Sequence, residues 1–290
     1  MCQPALWHRL DYSNIVKTHI ESGKPKLMPI LALLFVNALI TALCFFILWM
    51  VARRLNDVSF IDSWWALGIV LTAWVSFMNS APNTPHAIAL TVLCTLWGLR
   101  LGGYLFWRWR SHGPDRRYKS LLGKAQTEKN WSFAKASFWM VFALQAPLQW
   151  IVSLPVQIGQ MAGPMPLGPI AWLGLSLCIV GLTFETLGDW QLTRFKADPT
   201  NAGKVMDQGL WRYTRHPNYF GDTCFWWGMF FIAADTSAGI WSLPGPILLT
   251  VLLIKVSGIP TTEHHMAKRK PGYGEYMRRT SSFLPWPPKA

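Results

Sequence analysis

Asp62, Arg100, Glu185 and Asp222 lie inside long apolar stretches, and Asp189 lies just past one. A charge at membrane depth is costly, so each of these groups needs a partner or a task. Glu185 and Asp189 are four residues apart and share one helix face, where two carboxylates repel unless donors meet them. Arg100, Tyr104 and Arg108 repeat the same spacing within WGLRLGGYLFWRWR, residues 97–110, and so share a face too. Arg110, Arg116 and Arg117 extend the cationic run. A planar guanidinium binds phosphate through two parallel hydrogen bonds. The chemistry on offer is therefore two-sided, with cations for phosphate and carboxylates for hydroxyl and amide N–H groups. A ribose joined to a nicotinamide carries such donors. The structural alternatives are that Arg100 pairs with one carboxylate to fix packing, and that Glu185 and Asp189 cap a span at the interface.

A second constellation is GLWRYTRHPNYFGD, residues 209–222, which sets Arg215, His216 and Asn218 at the start of an apolar stretch. Pro217 restricts His216 to extended backbone, so a helix is expected to begin near Asn218. Free N–H groups at such a start favour a phosphate or carboxylate. In the tail, Glu263, His264 and His265 precede a basic cluster. Adjacent histidines point to different helix faces and no Cys lies near, so no metal site is expected. Hydrogen bonding to a polar cofactor is the better use of His265.

These residues must be positioned by membrane helices. The chain has 290 residues, of which 51% are hydrophobic and 14% charged, with 18 Trp and a net charge of +13. Disorder is excluded, because it needs low hydrophobicity. Five scattered Cys exclude a disulfide scaffold. Seven apolar segments, near 27–51, 60–79, 86–107, 133–155, 166–187, 219–235 and 239–257, predict an all-α integral membrane domain over 27–290. Gly98, Gly102 and Gly103 give the third segment a close-packing surface. Residues 1–26 are a mixed, polar N-terminal extension without a clean signal peptide. Loops 52–59, 108–135 and 188–218 and the tail from 255 carry the basic residues, whereas 80–85, 156–165 and 236–238 carry none. The positive-inside rule puts the basic loops and the C-terminus in the cytoplasm, and the N-terminus outside. That distribution explains the positive charge without nucleic acid.

The motif GLWRYTRHPNYFGD, the tail EHHMAKRKPGYGEYMRRTSSFLPWPPK, span three, DRRY at 115–118 and FETLGDWQLTRFK at 184–196 carry a resemblance. Over about residues 55–290 the chain resembles the bacterial branch of the steroid 5α-reductase superfamily, the DUF1295-type membrane reductases. The resemblance implies a seven-helix oxidoreductase of the bacterial inner membrane. NADPH would sit in the cytoplasmic half, under closing loops, and a lipophilic substrate would enter from the bilayer. Asn218 falls on a cofactor-contacting Asn and Asp222 on its acidic neighbour. Glu185 and Asp189 take the places of an Asn and an Asp. Arg100 and Tyr104 fall on an Arg and a Tyr near the dinucleotide, Lys196 on an Arg, and His265 on a cofactor-contacting His. With Arg108, Arg215 and His216 these make the expected cofactor set.

The implied chemistry is hydride transfer to the β-carbon of an enone, with a donor aimed at the carbonyl oxygen. The reductases use a Gln-Glu pair and a Tyr there. Here the region reads DVSFIDSWW, so Asp62, Trp97 and Tyr104 are the catalytic candidates. A protonated Asp62 among Phe60, Trp64 and Trp65 would donate to the ketone. The competing reading makes Asp62 a helix-start residue paired with Arg53 or Arg54. Two other functions remain open. An S-adenosylmethionine-dependent methyltransferase of the isoprenylcysteine type shares the RHPxYxG stretch. A non-enzymatic lipid-binding or transport protein also permits intramembrane polar groups.

Overall fold

The structure, a computed structural model, describes residues 27–80, 84–161, 163 and 165–289. The expected extension 1–26 lies outside the described residues. Every regular element among the described residues is a helix. The long ones are α1 (Leu27–Leu55), α2 (Ile61–Asn79), α3 (Pro85–His112), α8 (Pro169–Ala197) and α9 (Pro217–Ala234). Between α3 and α8 lie α4 (Arg116–Glu128), α5 (Phe133–Ser137), a π-helical turn (Phe138–Phe142), α6 (Ala143–Val152) and α7 (Leu154–Ile158). After α9 come α10 (Pro244–Val251), a second π turn (Leu252–Val256), α11 (Ile259–Arg269) and α12 (Tyr273–Arg279).

Proline sets several of the starts. Pro85, Pro169, Pro217 and Pro244 each stand in the first turn of a helix, where a missing N–H costs nothing. The Thr84 hydroxyl accepts from the Ala87 N–H at 3.2 Å and completes the α3 cap.

Five helical segments are long and apolar enough to cross a membrane, and a sixth crossing is possible if Phe133–Val152 and Leu154–Met161 count as one span bent by 50°. The break coincides with Pro155, which has no N–H to continue the ladder. The chain is thus a multi-pass membrane protein, but the expected count of seven spans is not met. The expected sixth segment, 219–235, is α9, an 18-residue helix of about 27 Å, which is not among the segments long and apolar enough to cross.

Glycine sets the closest helix pairing. Gly174, Gly181 and Gly188 recur every seven residues on α8 and face Gly228, Gly221 and Pro217 of α9. The two helices therefore run antiparallel. A Cβ at Gly181 would lie 2.6 Å from the Gly221 carbonyl oxygen, and one at Gly174 would lie 2.6 Å from that of Gly228. On α3, Gly98 abuts Val70 and Ala66, and Gly102 abuts Leu67 and Ser63. Gly103 meets nothing within 4 Å and is not part of that surface.

Polar pegs lock the rest. Asn37 donates to Ser76 at 2.9 Å and to Gln157 at 3.0 Å, joining α1, α2 and α7. Gln149 donates to the carbonyls of Trp64 and Trp65 at 3.1 and 2.9 Å. In an apolar medium such bonds hold helices together because the unmade alternative is costly. The last turns of α1, α3, α8 and α11 all carry cations. Asp62 in the first turn of α2 and Asn218 in the first turn of α9 meet that same end. At the opposite end the His86–Asp235 pair, at 2.9 Å, joins α3 to the end of α9.

Gly181→Val should be overpacked against backbone and should cost about 1–3 kcal/mol, read as a lower melting temperature in detergent. Gly103→Ala should leave the melting temperature unchanged or raise it. Equal effects at the two positions would reject the glycine contact as the basis of the α8–α9 pairing.

Candidate functional site: a basic cavity above a buried ionic cluster

The helix ends just described bring most of the singled-out residues together in two adjoining places. The deeper one is an ionic cluster. Arg100 of α3 pairs with Glu185 of α8, and its Nη1 donates to Asp189 at 2.9 Å. Asn218 of α9 lies 3.4 Å from the other Asp189 oxygen. The α8 carboxylates are buried, Glu185 2% exposed and Asp189 6%, while Arg100, Asn218 and Asp222 are only half-buried. Asp222, one turn further along α9, interacts with Arg100 and Trp97. Its Oδ1, the Glu185 Oε2 and the Arg100 Nε are buried without a hydrogen-bond partner. The close α8–α9 approach is what lets α9 present Asn218 and Asp222 to an α8 carboxylate.

Above it opens a cavity of about 700 Å³. Tyr104, Arg108, Lys196 and His265 line it, as do Asp62, Thr193, Arg116, Arg117 and Arg269. Cluster and cavity share their walls. Tyr104 follows Arg100 by one turn, Thr193 follows Asp189 by one turn, and the Tyr104 and Thr193 hydroxyls are 3.3 Å apart. The two helices thus run parallel from cluster to cavity.

Four expected site residues sit differently. Asp62 pairs with neither Arg53 nor Arg54. It accepts from Arg117 at 3.0 Å and from the Tyr118 hydroxyl at 2.7 Å, with Arg108 at 4.0 Å. Both its oxygens are thus engaged by α4 side chains, and neither is free to meet a substrate carbonyl as expected. Trp97 is 2% exposed and packs on Phe225 and Trp226 with ring centroids 5.5 and 5.1 Å away. It belongs to the core and does not line the cavity.

Arg215 and His216 are engaged by the tail. Arg215 donates to Glu263 at 2.7 Å and to the Met277 and Thr280 carbonyls. His216 Nε2 lies 3.2 Å from the same Glu263 oxygen, and its ring stacks on Tyr219. Burial pushes the His216 imidazole below its ordinary value, while the Glu263 bond opposes that shift. These two residues clamp the C-terminal segment onto the start of α9 and do not face the cavity.

Sequence reading missed Tyr118 and Gln145. Gln145 Nε2 donates to the Tyr118 oxygen at 3.2 Å, and its oxygen accepts from Trp65 Nε1 at 2.9 Å. Burial and the Asp62 charge hold the Tyr118 hydroxyl well above the usual phenol range, so it stays protonated. The available signal was the apolar periodicity of 116–128, which docks Leu122 and Ala125 against the helix bundle. Among the described residues no group of three or more potential metal ligands forms a site.

Fold and site together define a multi-pass helical membrane protein with a cationic cavity over a charged floor. Residues 48–280 match the family described as "Protein of unknown function (DUF1295)", and the chain belongs to it. That family is associated with steroid 5α-reductase-like proteins. The chain is also 21% identical over 261 residues to an uncharacterised protein of Schizosaccharomyces pombe, covering 82% of this chain and 76% of that one. No solved structure matches it.

Glu263→Gln should loosen the clamp, because breaking a buried pair leaves Arg215 without its counter-charge at a cost of about 3–5 kcal/mol. Limited proteolysis should then cut within 270–289 faster than in the parent. An unchanged cleavage rate and melting temperature would show that the clamp does not hold the tail.

Proposed function

We propose that this protein is an NADPH-dependent membrane reductase that reduces the activated C=C of an enone in a lipophilic, steroid-like substrate. The observation that carries the reading is that the cationic cavity and the acidic cluster lie one above the other on the same two helices, α3 and α8. A volume of about 700 Å³ falls in the range of small-molecule sites, about 300–1,000 Å³. The fit to a phosphorylated dinucleotide is two-sided. Arg108, Arg116, Arg117, Lys196 and Arg269 suit phosphates, and His265 lies among them. The unpartnered oxygens of Glu185 and Asp222 suit ribose hydroxyl and carboxamide donors, with Arg100, Asp189 and Asn218 around them. When bound, NADPH supplies the hydride.

The remaining work falls to the chain. As hydride reaches the β-carbon, charge builds on the carbonyl oxygen, and a donor aimed there lowers the barrier. Tyr104 takes that place in this reading. Its hydroxyl faces the cavity and shares only a long contact with Thr193. Asp62 is a positioning residue that holds Arg117 at the cavity wall. The bilayer-facing surface, with its exposed aliphatic and Trp side chains, is the route by which a lipophilic substrate would arrive. The cationic end faces the cytoplasm, which puts the C-terminus there, in a bacterial inner membrane.

A methyltransferase using S-adenosylmethionine is the second reading. The acidic cluster favours it to the extent that a sulfonium is cationic. The phosphate-seeking wall favours the dinucleotide.

A ligand that binds only the folded state raises its melting temperature. NADPH should stabilise the detergent-solubilised protein and S-adenosylmethionine should not. Arg108→Ala with Lys196→Ala should abolish that shift. Tyr104→Phe should keep the shift and lower enone turnover about 100-fold or more. Stabilisation by S-adenosylmethionine alone would overturn the reductase reading.

A further inference from the structure

The cluster beneath the cavity does not balance its charge. Glu185, Asp189 and Asp222 bring three carboxyl groups to one guanidinium, Arg100. The other groups facing it are the Trp97 indole of α3 and the Asn218 amide of α9, with Arg108 two turns along α3. None of these but Arg108 adds positive charge, and Arg108 is directed to the cavity and Asp62. With all three ionised, two negative charges would stay uncompensated at this depth, and a proton on one carboxyl halves that costly excess. A second observation points outward from the cluster. Glu185 is 2% exposed, yet its Oε2 has no donor, and Asp222 Oδ1 has none either. The cavity floor at Tyr104 and Thr193 begins one helical turn from Arg100 and Asp189 and two turns, about 12 Å along the axis, from Glu185.

We propose that the cluster is an exchange site, holding a proton on Asp222 in the free protein and releasing it when a nucleotide with a positively charged head group docks from the cavity. The phosphates of such a ligand are kept out of the cluster by its carboxylates and drawn to Arg108 and Lys196. The uncharged or cationic head is therefore the part that reaches Asp222. Charge and atoms balance simply. The O–H bond of Asp222 breaks, the proton leaves to solvent through the cavity, and the carboxylate faces the cationic ring.

This inference rests on the reductase reading for the identity of the ligand. There the cationic head is the oxidised nicotinamide, and the neutral reduced ring releases no proton. The site thus prefers NADP⁺ over NADPH increasingly as pH rises, which makes bound NADPH the stronger hydride donor.

The sign follows from competition. Below the pH at which Asp222 ionises in the free protein, the proton competes with the ligand, so NADP⁺ affinity rises up to about tenfold per pH unit and then levels. Titration calorimetry of the full-length protein in nanodiscs, in two buffers of different protonation enthalpy, reads the proton count directly. The expected result is one proton released by NADP⁺ and none by NADPH, with both values at zero in Asp222→Asn. Equal proton release by the two forms, or release that persists in Asp222→Asn, overturns the proposal.

Infrared spectra of the ligand-free protein test it independently of any nucleotide and of that variant's folding. A protonated carboxylic acid C=O band at neutral pH supports the proposal, and its absence overturns it. Proton release on binding S-adenosylmethionine, with no binding of either nicotinamide form, would uphold the exchange site and reject the reductase reading.

Discussion

A guanidinium inside a membrane bundle has to be neutralised where it stands, and Arg100 does this by reaching from α3 to two carboxylates one turn apart on α8. That requirement fixes the relative register of the two helices. With 100 opposite 189, Tyr104 falls opposite Thr193, and Arg108 and Lys196 fall at a common level in the cavity wall. Shifting either helix by one turn would unpair a buried charge, at a cost of several kcal/mol. The parallel course of α3 and α8 and the placing of cations at one end therefore depend on one ionic contact.

Glycine and proline then decide what joins that contact. The seven-residue glycine repeat on α8 removes the side chains that would hold α9 away. Pro217 starts α9 at the depth where Asn218 can meet Asp189. The same start is pinned from outside by Arg215, which ties it to the tail carbonyls and to Glu263. A motif of charged residues here serves two different ends. Its Arg and His hold the chain, while its Asn and Asp face the cluster.

That division explains what could be read from the sequence. Apolar length located the long helices, because burial in lipid demands it, whereas the polar-faced α4, α11 and α12 fall outside the expected segments. The i, i+4 spacings of Arg100–Tyr104–Arg108 and Glu185–Asp189 placed each stripe, since helical geometry alone sets them. Pairings across the chain were not legible in the same way. Asp62 and Arg117 are 55 residues apart, and nothing local distinguishes Arg117 from Arg53 or Arg54 as a partner. Arg215 looked like a phosphate ligand because composition cannot say whether a carbonyl-rich tail folds back onto it. Trp97 occupies a helix position suited to a site, but its ring volume fills the core against Phe225 and Trp226.

The cluster and the cavity also differ in what they tolerate. The cavity walls are long basic side chains at an open end, which can shift to suit a bound anion at little cost. The cluster is backed by the glycine contacts of α8 and α9 and by Trp97, itself packed on Phe225 and Trp226, so its shape is fixed and it responds to a ligand by changing charge. A floor that is rigid in shape and adjustable in protonation discriminates by charge rather than by size. A site whose ligand changes its charge during the reaction gains from that arrangement. The state before reaction and the state after it then bind with different strength, although the surrounding helices need not move.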